Sequence, residues 1–186
     1  MGETDARIES ATADDIDAVT DMWVTLAAGQ REHGATLRAE ANRATVREWV
    51  AQSVVTGELL VARDPEIDDG SSLVGFVGFS LERGDYERDA VRGTVSNLFV
   101  APERRGEGIG AALLDAAERA LAEAGADGVT LEALADNERA RAFYADRGYD
   151  LHRVELAKSL GDDAAAASEE DDGRDRADAA SADESD

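Results

Sequence analysis

Cysteine is absent from the 186 residues, which excludes disulfides, thiolate zinc sites and a cysteine nucleophile. Histidine is scarce, and His33 and His152 are too few for a metal cluster, so no metal is expected. Lysine is reduced to Lys158 among 19 basic side chains. No apolar run approaches membrane-spanning length, and no membrane partner is expected. The amino terminus, Met-Gly-Glu-Thr-Asp-Ala-Arg, lacks the basic-then-apolar order of a secretory signal. The plain expectation is a cytoplasmic protein.

What the chain has in excess is negative charge, a formal -23 at neutral pH. Such self-repulsion normally costs stability, and concentrated salt screens it. Because the acidic residues are spread along the chain, they read as a halophilic adaptation; an acidic face for a basic partner is the alternative. Either way, binding to a nucleic acid backbone is disfavoured.

The length suits one domain with an appendage. Arg7 to Ser10 reads as a first strand, and Thr12 with Asp15 marks a helix start. Ile16, Val19, Met22, Trp23 and Leu26 share one face of that helix. Gly29 and Gly34 bracket a break, a second helix runs from Asn42 to Val54, and Gly57 ends it. Three strands, Glu58–Ala62, Leu73–Leu81 and Val91–Val100, form an antiparallel meander around a polar loop, Asp64–Ser72, and a turn, Gly84–Ala90. Gly75 and Gly78 mark a bulge or a close backbone contact. A helix follows from Ile109, then a strand over Val129–Leu134. A helix over Glu138–Arg147 and a last strand over Tyr149–Leu156 complete the domain at residue 160. Residues 161–186 carry 11 acidic and two basic residues, and alanine is their only non-polar side chain. That segment cannot offset its chain entropy and is expected to be a disordered acidic tail.

The stretch that organises the chain runs from Asn97 to Ala111. Pro102 stops the apolar strand, since it cannot donate to a ladder. Arg104-Arg105-Gly106-Glu107-Gly108-Ile109-Gly110 then leads straight into the helix carrying Ile109, Leu113, Ala116, Ala117, Ala120 and Leu121 on one face. Glycines let main-chain N–H groups approach closely, and a helix start adds unpaired donors and partial positive charge. This is phosphate-binding architecture. A Walker loop would end in Gly-Lys-Ser/Thr, and here the glycine is followed by Ala-Ala. A dinucleotide fingerprint would read G-x-G-x-x-G, not G-x-G-x-G behind arginines.

Arg105-Gly106-Glu107-Gly108-Ile109-Gly110 instead resembles the R/Q-x-x-G-x-G/A signature of the GNAT superfamily of N-acetyltransferases. The preceding Leu-Phe-Val-x-Pro and the later Asn…Phe-Tyr…Gly-Tyr add to the match, which is specific from Leu73 to Leu156. The resemblance implies an α/β (α+β) fold. Its mixed, mostly antiparallel sheet has a central parallel strand pair splayed at the acetyl-CoA site, with helices on both faces. It implies acetyl transfer from acetyl-CoA, a cosubstrate, to a peptide or small-molecule amine by direct attack.

Carried onto this chain, the resemblance assigns the pyrophosphate to Arg105, Gly106, Gly108, Ile109 and Gly110. It assigns the pantetheine arm to the main chain of Leu98, Phe99 and Val100 and to Asn137. Tyr144 takes the place of the tyrosine that protonates the departing thiolate; a packed aromatic is the other reading. No carboxylate lies between Gly93 and Val100. Glu132, twelve residues before Tyr144, has the spacing of a glutamate that acts as base through water in the branch acetylating protein N-termini. A solvated strand charge is the alternative. Trp23 and Trp49 could line an acceptor pocket, though their helical spacing favours core packing. A non-catalytic CoA-binding sensor, with the tail as interaction arm, is the rival from another class. Many family members carry a further strand after the last one expected here, so either the sheet ends early or a second subunit, in a homodimer, covers that edge.

Overall fold

A computed structural model describes residues 4–67, 72–82 and 89–158. The expected acidic tail, most of the Gly84–Ala90 turn and part of the Asp64–Ser72 loop lie outside the described residues. The chain divides after Tyr144, and the two parts are described separately.

In the first part, strand β1 (Arg7–Ser10) leads to helix α1 (Ile16–Gln30) and helix α2 (Arg43–Thr56). The meander follows as β2 (Leu59–Arg63), β3 (Leu73–Leu81) and β4 (Arg92–Val100). Helix α3 (Ile109–Glu123), strand β5 (Gly128–Leu131) and helix α4 (Glu138–Ala145) complete the regular structure. The five strands lie in sequence order, antiparallel except for the parallel β4–β5 pair that closes the described sheet. The crossover through α3 makes that pair possible, since parallel neighbours need a long connection.

Helices cover both faces. On one, Val19 of α1 and Val46 and Val50 of α2 pack with Leu59, Val61, Phe76 and Phe99, all buried. On the other lie the buried Ile109, Leu113, Leu114, Ala117 and Leu121 of α3. Strand β3 is apolar and buried at every position from Leu73 to Phe79, as a strand covered on both sides must be. Its glycines exist for closeness. A Cβ on Gly75 would lie 2.6 Å from the Phe99 carbonyl, and one on Gly78 would lie 2.8 Å from the Trp49 ring.

At the sheet's opposite edge, Asp15 is buried and bound on several sides. It accepts from the Thr12 N–H at 2.8 Å and from Arg63 at 2.8 and 2.9 Å. Arg63 also bonds Glu9. Burial pushes the Asp15 carboxyl up, but the Thr12 and Arg63 bonds outweigh it and leave the group below the usual carboxylate range. A depressed folded value means stability that is present above the unfolded value and lost as pH falls through the folded one. Denaturant midpoints should therefore drop below about pH 4, and Asp15→Asn should weaken that dependence. The same variant should lose about 2–3 kcal/mol at neutral pH, less than a sealed pair because Arg63 keeps 24% of its side chain exposed. Midpoints measured from pH 3 to 7 check both.

In the second part, a turn closed by the Gly148 N–H on the Ala145 carbonyl follows α4. The strand expected over Tyr149–Leu156 is not formed: 149–158 carry no helix or strand, and Leu151, Val154 and Leu156 are exposed. The apolar positions explain why. Leu151 falls on the opposite parity from Val154 and Leu156, so no single apolar face favours one register. Helix α4 also stops at Ala145, two residues before Arg147, and β5 ends at Leu131, not Leu134.

Candidate active site

The site begins with a mismatch in length between two strands. β4 pairs with β5 only from Arg92 to Val95, opposite Gly128 to Leu131. Beyond Val95, β4 runs on to Val100 with β3 on one side and, among the described residues, no ladder on the other. The divergence coincides with a bulge. Gly78 faces Asn97 while Phe79 faces Val95, so Ser96 is the extra residue. Its hydroxyl donates to the Gly78 carbonyl at 3.2 Å. A bulge bends its strand and increases the twist, which turns β4 away from β5 where their pairing ends.

Main-chain groups alternate in direction along an antiparallel strand. The Ala101 N–H donates to the Val74 carbonyl at 2.9 Å, so Phe99 and Ala101 turn toward β3. Leu98 and Val100 therefore turn their N–H and C=O into the opening. The Val100 carbonyl there accepts from Arg105 Nε at 3.1 Å. Phe99 is the exception among the three strand residues. Its ring is buried against Phe76, with centroids 6.1 Å apart.

The opening leads to the glycine turn. Pro102–Arg104 make one 3-10 turn, and Gly106 and Gly108 take φ of 89° and 80°. Both values lie in the left-handed region that glycine enters without strain. Gly108 is the residue from which α3 starts, and Ile109 anchors that start with its side chain fully buried. A Cβ on Gly106 would meet nothing within 4 Å. The space beside Gly106 is thus open, two residues before Gly108, from which α3 starts.

Helix α4 is brought to the same place. A Cβ on Gly110 would sit 3.6 Å from both the Phe143 ring and the Val100 side chain. Tyr144 is half-buried, its ring edge-on to Phe143 at 5.2 Å. Burial pushes its phenol above the ordinary value, so it remains a protonated donor. Asn137 caps α4, its Oδ1 accepting from the Ala140 N–H at 3.0 Å. That bond leaves the Asn137 NH2 group unused by the described residues. Glu132 lies one residue past the end of β5 and is exposed.

A profile of the "Acetyltransferase (GNAT) family" matches residues 28–149. The chain belongs to the GNAT family of acetyltransferases. An uncharacterized N-acetyltransferase of Archaeoglobus fulgidus is 32% identical over 158 residues, covering 82% of this chain and 97% of that protein. A mycothiol acetyltransferase of Clavibacter sepedonicus is 33% identical over 137 residues, 74% of this chain but 40% of that longer protein. A solved GCN5-related N-acetyltransferase from Ralstonia eutropha shares the fold, with a TM-score of 0.64 at 23% identity over 84% of this chain and 99% of its own. This GNAT protein is accordingly an acyltransferase of a family that uses acetyl-CoA. Its residues fit that cosubstrate: strand main chain outside any ladder at Leu98 and at the Val100 N–H for an amide-bearing arm, then a glycine turn at a helix start for a pyrophosphate. Among the described residues no helix is long and apolar enough to cross a membrane, and no three acidic or histidine side chains gather to hold a metal.

Two features of the GNAT site escaped sequence reasoning. Trp23 Nε1 donates to Asn97 Oδ1 at 3.1 Å, tying α1 to the strand beside the bulge. Arg104 is held by Asp64, forty positions earlier. Neither pairing has a local signal, because both join residues far apart in the chain.

Proposed function

We propose that this protein transfers the acetyl group of acetyl-CoA to a primary amine by direct attack, the acceptor being a peptide or a small molecule. The observation that carries the reading is the stretch of β4 past Val95 that has no ladder on its β5 side among the described residues, where Leu98 and the Val100 N–H open onto the Gly106–Gly110 turn. Bound acetyl-CoA would supply an activated thioester, whose acetyl group passes to the acceptor nitrogen with release of the thiol.

Each residue then has a physical task. The N–H and C=O of Leu98 and the N–H of Val100 hold the pantetheine amides, and an N–H from this edge stabilises charge on the acetyl oxygen. The N–H groups from Gly106 to Gly110, at the positive end of α3, receive the pyrophosphate. The NH2 of Asn137 is available to the pantetheine arm while its oxygen caps α4. Tyr144 gives its proton to the leaving thiolate, whose basicity is comparable to that of a phenol. Glu132 accepts the amine's proton through water, and its exposure suits a solvent-connected base.

Two supports bear on the acceptor. The Glu132–Tyr144 spacing favours a peptide amine, and the similarity to a mycothiol acetyltransferase favours a small one. A panel of both, assayed for free CoA at low and high salt, tests the proposal. Amine-dependent CoA release supports transfer. Tight acetyl-CoA binding with no release across the panel would instead favour a CoA-binding sensor.

A further inference from the structure

Asp64 follows the last residue of β2 and is nearly buried, 9% exposed. Its backbone is fixed, with the N–H donating to the Ser72 carbonyl at 2.8 Å. Its carboxylate is fixed as well. One oxygen accepts from the Glu66 N–H at 2.9 Å, and the other bonds the Arg104 guanidinium. Arg104 ends the 3-10 turn of Pro102–Arg104, two residues before the first of the two positive-φ glycines, and its Nε also bonds Glu107 at 2.8 Å. The Glu66 bond, then the Arg104 bond, hold the Asp64 carboxyl below the usual carboxylate range, so it stays ionised through neutral pH.

The arrangement matters because of where it sits. Glu107 lies between Gly106 and Gly108, inside the turn that must accept a pyrophosphate. A free carboxylate there would repel that anion. Arg104 neutralises Glu107, and Asp64 fixes Arg104 from the sheet side with a charge-assisted bond. The glycines on either side, chosen for openness, cannot fix the turn themselves, since glycine has the most conformational freedom to lose.

We propose that Asp64 is a positioning residue for the cofactor turn: acting through Arg104, it anchors residues 102–108 to the end of β2 and keeps Glu107 turned from the anion. Asp64 touches no cofactor in this scheme, and Arg104 serves as a brace, not a phosphate ligand. The inference rests on the assignment of that turn to acetyl-CoA.

The test uses the full chain and three measurements on Asp64→Asn and Asp64→Glu: acetyl-CoA affinity by calorimetry, kcat and KM with a responsive amine, and amide exchange without ligand. Asp64→Asn should raise Kd and KM for acetyl-CoA about tenfold, with kcat at saturation changed by less than about twofold. Exchange at Arg105–Gly108 should quicken about tenfold, while amides in β2 and β3 stay unchanged. Asp64→Glu, which keeps the charge, should recover part of both effects. Should Asp64→Asn fail to fold, Arg104→Gln tests the same link from its more exposed side and should give the same pattern. Unchanged affinity and exchange in a folded variant overturn the proposal. So does tighter binding, which would mean that Arg104 had been freed to hold the phosphate. So does a uniform rise in exchange across the sheet, which would make Asp64 merely structural. If the wild-type chain binds no acetyl-CoA, the functional assignment falls, and exchange at Arg105–Gly108 alone decides the brace.

Discussion

Tyr144→Phe is expected to lower kcat by about 10²–10⁴-fold, the usual range for a lost general acid. The substitution keeps the ring, and so keeps its edge-on contact with Phe143. Only the hydroxyl is removed. Affinity for acetyl-CoA should change little, because the proton is needed chiefly in the transition state. The phenol's upward shift, caused by burial, also sets a sign for the pH profile. A donor that keeps its proton to higher pH should carry the wild-type kcat further into the alkaline range than a solvated phenol would. The companion variant Glu132→Gln should flatten the acid limb if that carboxylate is the base. Near wild-type turnover in Tyr144→Phe, with chemistry shown to limit the rate, would return Tyr144 to a packing role.

Gly108→Val should abolish acetyl-CoA binding in a protein that still folds. Two costs coincide at this position. Gly108 sits at φ of 80°, a conformation that strains a β-branched residue by roughly 1–3 kcal/mol. On the proposed assignment of this turn, an added side chain would also crowd the start of α3, where a pyrophosphate would approach. The strain alone would be tolerable in a helix anchored by the fully buried Ile109 and Leu113. The obstruction would not be tolerable to the ligand. Calorimetry that finds wild-type affinity, in a variant with an unchanged circular dichroism spectrum, would refute the assignment of this turn.

The parts of the fold that were legible in the sequence share a local cause. β1 falls at Arg7–Ser10 and β3 at Leu73–Leu81, both as expected, because turn residues and apolar runs bound them closely. Helix α3 starts at Ile109 because Gly108 and the spacing of Ile109, Leu113, Ala117 and Leu121 agree on the boundary. The glycine turn was legible for the same reason, its backbone conformation following from consecutive residues. What stayed hidden depends on partners distant in the chain. Leu151, Val154 and Leu156 supply apolar side chains, but on conflicting parities, and no strand forms there. Asp15 reads as a helix-start residue, and nothing near it announces Arg63. The bulge at Ser96 has no sequence mark of its own either. Gly78 hinted at an irregularity, and the extra residue proved to lie on the partner strand.

The bond from the Trp23 indole to Asn97 has an optical consequence. The chain has only two tryptophans. Trp23 is tethered beside the bulge, and Trp49 lies over Gly78 on the neighbouring strand. Indole emission responds to the polarity and hydrogen bonding of the N–H group, the one polar handle on an otherwise apolar ring. A ligand settling along Leu98–Val100 must disturb the strand that holds the Asn97 acceptor. Intrinsic fluorescence should therefore report occupancy of the opening with no added label. In Trp23→Phe the response should fade while the Trp49 signal persists as an internal reference. The protein thus carries a gauge of its own filling, built from a side chain that the chemistry does not use.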